Sequence, residues 1–191
     1  MAMALPSIEQ VLPPDIDALI AQATAAYDEA IHRHTLPDLY AHIATVRALQ
    51  NRPALEEQAM REGLRVYRQG PPMPELSQIL ERWRNRHVRL GQYAAAEPYG
   101  RERLDAFEKA YGARHWMTTP VRALHARTLA LAGRLDDARQ QMEAARGTFA
   151  EAGAQGVYFD WLVHVSSAFI ANLSGDAAAA ERHARDACRA V

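Results

Sequence analysis

The chain is poor in cysteine, in lysine and in long apolar runs, and each shortage narrows its class. A single cysteine, Cys188, excludes an internal disulfide and fits a reducing compartment. No apolar run reaches the 18 or so residues of a membrane-spanning helix. The start, Met1-Ala2-Met3-Ala4-Leu5-Pro6, lacks the basic and apolar stretches of a signal peptide. The expectation is a soluble, cytoplasmic protein with no membrane partner. Lys109 is the only lysine, so 21 of the 22 basic residues are arginine, and the net charge is −1. Residues 1–60 carry 3 basic and 8 acidic groups, residues 61–103 carry 9 and 5, and residues 104–191 carry 10 and 10. With so modest a basic stretch and no lysine-rich run, no nucleic-acid partner is expected.

Signatures of catalysis and of bound groups are missing too. No Gly-x-Ser-x-Gly, phosphate-binding glycine loop or dinucleotide fingerprint occurs, and no His-Glu-x-x-His or paired Cys/His spacing marks a metal. His32 and His34 stand two apart and point to different faces of a helix. His125 and His164 fall where a helical repeat packs inward, so they read as satisfied interior or boundary histidines. Asp136-Asp137 opens a helix, where carboxylates complement the dipole. The sequence therefore predicts no catalytic residue, no cofactor and no metal site.

What is present is a repeat. Leu90-Gly91-Gln92-Tyr93-Ala94-Ala95-Ala96-Glu97 returns as Ala132-Gly133-Arg134-Leu135-Asp136-Asp137-Ala138-Arg139 and as Ser174-Gly175-Asp176-Ala177-Ala178-Ala179-Ala180-Glu181. The glycines at 91, 133 and 175 are 42 residues apart, the mark of a stacked-repeat protein. Glycine ends one helix, a new helix starts two residues on, and a small alanine at Gly+5 lets the two pack closely.

The rest of the chain has helical periodicity and no alternating stretch. A short turn with Ile8, Val11 and Leu12 ends at Pro13-Pro14, and Asp15 caps a helix with Ile16, Leu19, Ile20, Ala23, Tyr27, Ala30 and Ile31 on its apolar positions. Pro37 opens another, Asn51-Arg52-Pro53 turns the chain, and Leu55, Ala59, Leu64 and Tyr67 mark a fourth. These form a degenerate hairpin without the glycine motif. Gly70-Pro71-Pro72-Met73-Pro74 is a stiff connector. Helices then pair as 75–90 with 93–111, 118–132 with 135–152, and 157–174 with 177–190. The expected class is all-α, an α-solenoid of antiparallel helix hairpins. Its parts are residues 1–69 (N-terminal helices with a degenerate repeat), 70–74 (connector) and 75–191 (three regular hairpins).

Gly91-Gln92-Tyr93-Ala94-Ala95-Ala96-Glu97-Pro98-Tyr99, followed by Leu104, Phe107 and Tyr111-Gly112-Ala113-Arg114-His115, resembles the 42-residue tetratricopeptide repeat (TPR) of kinesin light chains and many bacterial signalling proteins. The resemblance covers 75–191 well and 36–69 poorly. It departs where Trp116 replaces the usual loop proline and where Arg82, Leu124 and Ser166 replace the family's first-helix asparagines. It implies a right-handed superhelix whose first helices line a groove at Gly−10, Gly−6, Gly−3 and Gly−2. Those positions are Glu81, Asn85, Val88 and Arg89, then Ala123, Arg127, Ala130 and Leu131. Arg82, Asn85, Arg89 and Arg127 are the candidate ligand-binding set, because guanidinium forks suit carboxylate and phosphate.

The expected function is a scaffold that binds a peptide or protein partner in signalling or regulation. The alternative is a ligand- or peptide-sensing regulatory domain coupled to a separate effector. The last first-helix, with Trp161, Leu162, Val165 and Phe169 apolar around its circumference, predicts a covered surface. Either self-association as a homodimer through the C-terminal repeat or a downstream segment of a longer parent protein would cover it.

Overall fold

The computed structural model describes residues 16–27, 35–71, 73–145 and 156–190. Among them the chain is all-α, with nine α-helices and no strand. These are α1 (Ile16–Tyr27), α2 (Leu36–Leu49), α3 (Pro53–Gln69), α4 (Gln78–Arg89), α5 (Tyr93–Tyr111), α6 (Thr118–Leu131), α7 (Leu135–Ala145), α8 (Gly156–Leu173) and α9 (Ala177–Arg189). A short 3-10 turn, Pro74–Leu76, precedes α4. The expected turn at Ile8, Val11 and Leu12, the Asp15 cap, Ala30, Ile31, His32, His34, Pro72 and the last residues of the expected helix 135–152 lie outside the described residues.

The repeated motif builds one turn three times. Gly91, Gly133 and Gly175 have φ of 69°, 81° and 78°, a left-handed conformation that side chains resist. In each, the glycine N–H donates three residues back and the next N–H five residues back: Gly91 to Val88 O and Gln92 to His87 O, Gly133 to Ala130 O and Arg134 to Leu129 O, Gly175 to Asn172 O and Asp176 to Ala171 O. This pair of hydrogen bonds satisfies carbonyls that the helix end leaves open. The hairpin of α2 and α3 uses the same device. Asn51 has φ 55°, its N–H donates to Ala48 O, and Arg52 N–H donates to Arg47 O. Asparagine takes the left-handed position here, with Pro53 starting α3 two residues later. The first hairpin thus shares the turn of the others, which a search for glycine cannot detect.

No atom lies within 4 Å of where a Cβ on Gly91 would stand, so a substitution there meets backbone strain and no clash. Gly91→Val is expected to lose about 1–2 kcal/mol. Gly91→Asn, copying Asn51, is expected to lose much less. Urea unfolding of the two variants checks the ranking, and equal midpoints would remove the left-handed requirement.

The chain divides into two compact units, between Arg82 and Trp83 and therefore within α4; the expected connector 70–74 lies in the first. In the first unit α2 and α3 pack together. Gly63 of α3 makes their approach to α4 possible, since a Cβ there would stand 2.8 Å from both Ile79 Cδ1 and Tyr40 Cβ. In the second unit α6 packs against α5, α7 and α8, and α8 against α9. Its core holds Ala123, Ala126, Leu129 and Ala130 of α6, Ala138 and Met142 of α7, and Leu162, Val163 and Ile170 of α8. Of the three Gly+5 alanines, Ala96 and Ala138 are fully buried, as a close helix contact requires, and Ala180 is half-buried.

Candidate binding surface

The 42-residue register makes positions of α4, α6 and α8 equivalent. At Gly−6 stand Asn85, Arg127 and Phe169. The last two meet: the Arg127 guanidinium lies over the Phe169 ring, 4.8 Å from its centroid. That contact joins equivalent positions of consecutive repeats through a cation–π interaction. Stacking uses the flat face of the guanidinium and leaves its N–H edge available to an anion. Among the described residues Arg127 has no carboxylate partner.

The other candidates are placed differently. Asn85 is half-buried and its Oδ1 accepts from Arg84 Nη2 at 2.6 Å. Arg89 is exposed near the end of α4, and Arg82 is the last residue of the first unit. The structure thus gives Arg127 an aromatic support and Asn85 an arginine neighbour. Ala123 and Ala130, at Gly−10 and Gly−3, are 0% and 4% exposed and belong to the core that α6 shares with α7 and α8. In that repeat the open positions are Arg127 and Leu131.

Beneath this face lies a polar layer that the sequence does not announce. Arg84, two residues from Arg82, is buried and donates to Leu124 O at 3.2 Å and Thr128 Oγ1 at 3.3 Å. Arg122 is also buried. It donates to Gln141 Oε1 at 2.8 Å, Glu108 Oε1 at 2.6 Å and Ala113 O at 3.0 Å, joining α6 to α7, to α5 and to the loop after α5. His125 is 1% exposed, with Nε2 3.9 Å from Glu97 Oε1. Its Nδ1 has no hydrogen-bond partner, so this interior histidine is not the satisfied one that the sequence led us to expect. The reason is local: Gly100 brings α5 so close that a Cβ there would stand 3.0 Å from Nδ1. Burial first, then the positive charges of Arg101, Arg134, Arg84 and Arg122, lower the His125 pKa from 6.5 to about 4. The imidazole is neutral near pH 7.

Asp136 and Asp137 lie in the first turn of α7 and pair with Arg139 (2.9 Å) and Arg134 (2.7 Å). Asp176 caps α9, its Oδ1 accepting from Ala179 N–H at 2.9 Å.

Of the expected interface residues, Leu162 is buried in the chain's own core, while Trp161 and Phe169 are partly buried against it and Val165 is half-buried. The most exposed apolar residues of α8 are Val157 and Tyr158 at its start. Helix α8 is apolar around most of its circumference because α6, α7 and α9 each pack on it. Aromatic rings continue from that end: Trp161 contacts Tyr158, Tyr158 contacts Phe159, and Phe159 contacts Trp116, with centroids 5.6–5.9 Å apart. Trp116 thus fastens the loop before α6 onto α8.

No protein-family model matches the chain, and no curated protein matches it. Among the described residues no helix is long and apolar enough to cross a membrane.

Proposed function

We propose that the chain is a TPR-like interaction scaffold whose regular hairpins stack as a right-handed α-solenoid. In this reading the face lined by the first helices binds an extended peptide or protein segment bearing a carboxylate, and the role is binding rather than catalysis. The observation that carries it is the Arg127–Phe169 contact. Equivalent positions of consecutive repeats meet side by side, as the first helices of a stack do, and they combine a cation with an apolar surface. Extended concave surfaces of this kind are what helical repeats offer a partner. The repeated turns at Gly91, Gly133 and Gly175 support the same stacking.

The test uses two degenerate pools of fluorescein-labelled decapeptides, one with free C-terminal carboxylates and one amidated, followed by anisotropy. The free-carboxylate pool is expected to bind more tightly, with affinity falling as salt rises. Arg127→Glu should weaken binding at least about tenfold, since a hydrogen bond to a charged group contributes roughly 1.5–3 kcal/mol. Equal binding of both pools, or binding untouched by Arg127→Glu, contradicts the proposal.

A further inference from the structure

We propose that His164, His183 and Asp186 hold a divalent transition-metal ion of the zinc and nickel class between α8 and α9. One ligand atom from each residue lies within 4.8 Å of the others. The cluster is independent of the Arg127 face and of the binding reading above.

The two helices supply the donors by their own periodicity. On α9, His183 and Asp186 are three residues apart and share a face; on α8, Asp160 and His164 are four apart and share another. The His164 and His183 rings face one another with centroids 5.9 Å apart. His164 Nε2 is 3.5 Å from Asp160 Oδ1. A carboxylate beside one ring nitrogen is the arrangement that orients a metal-binding histidine and strengthens the other nitrogen as a donor. That other nitrogen, His164 Nδ1, is shielded from solvent and has no hydrogen-bond partner. A buried imidazole nitrogen left unpaired is costly, and a metal ion would relieve it.

Donor type selects the metal. Two imidazoles with one carboxylate suit zinc, nickel, cobalt or copper, whereas magnesium and calcium take oxygen. With metal–nitrogen bonds of about 2.0–2.1 Å, tetrahedral donors stand roughly 3.4 Å apart. The side chains, all half-buried, therefore need to close by on the order of 1 Å. His183 also borders a cavity of ≈ 260 Å³ lined by Arg139, Glu143, Ser167, Ser174 and Asp176, which gives an ion a way in. The consequence falls on α9. Its one buried residue is Ala187, so a metal bridge to α8 would add a firm anchor to a helix with little core contact.

The experiment is isothermal titration of the tag-free, EDTA-treated full chain with Zn²⁺ and Ni²⁺. The background carries Cys188→Ser, His32→Ala and His34→Ala, which removes competing ligands. One ion per chain is expected, with a rise in melting temperature. His164→Ala and His183→Ala should each weaken binding at least about a hundredfold, and Asp160→Asn about tenfold, as the loss of a ring-orienting carboxylate does. His42→Ala, on an exposed residue of α2, should change nothing. If a variant fails to fold, the histidine ring signals of the parent chain decide: Zn²⁺ should move those of His164 and His183. The absence of binding at about 100 µM metal, binding that survives loss of either histidine, or movement of other histidines instead would overturn the site.

Discussion

Acidifying the protein from pH 7 to pH 5 is expected to lower its unfolding free energy by about 2 kcal/mol through His125 alone. The folded-state pKa is about 4, below the 6.5 of the unfolded chain. Between those values the unfolded chain binds more protons, so stability rises with pH across the window. The contribution is complete above about pH 6.5 and is lost as pH falls toward 4. Burial is the main cause: Gly100 brings α5 against the ring, and four arginines oppose a further positive charge. Urea unfolding at pH 7 and pH 5, for the parent and for His125→Gln, isolates the effect from other titrating groups. The parent should lose about 2 kcal/mol more than the variant over that interval. Equal losses would mean that His125 is hydrated in solution.

Arg122→Met should be the most damaging single change in the second unit. The guanidinium joins Glu108 of α5, Gln141 of α7 and the Ala113 carbonyl, and its side chain is 7% exposed. Removing one partner of a fully buried ion pair costs about 3–5 kcal/mol. The Glu108 side chain is 29% exposed and can turn to water, so the expected loss is nearer 2–3 kcal/mol. Glu108→Gln should lose less, because Arg122 keeps its other two acceptors. Denaturant unfolding of both variants gives the comparison. An Arg122→Met protein as stable as its parent would mean that the network adds nothing beyond the packing that methionine retains.

The repeat was legible because its turn makes a demand on the backbone that few residues meet. A left-handed residue after each helix requires glycine or asparagine, and glycine repeats at 91, 133 and 175. The first hairpin escaped the same reading because Asn51 holds the left-handed position and sits 40 residues before Gly91. The polar layer was not legible for a different reason. Helix α4 carries Arg82, Arg84, Arg86 and Arg89, and periodicity alone does not say which of them turns inward. Arg84 does so because Leu124 and Thr128 of α6 offer acceptors 44 or fewer residues away in sequence, a pairing only the fold reveals. The alanines at Gly−10 and Gly−3 looked like groove positions by register, yet Ala123 and Ala130 are buried in the core shared with α7 and α8. His164 is half-buried, and its neighbours His183 and Asp186 come from the next helix, which periodicity along one helix does not reveal.

The most direct measurement of the binding face is a set of NMR spectra of the chain, observing arginine Nε–Hε and phenylalanine ring signals as the free-carboxylate peptide pool is added. The account predicts that Arg127 Nε–Hε and the Phe169 ring move together and that Arg127→Glu abolishes the change at Phe169. Shifts confined to other arginines and to rings away from Phe169 would contradict it.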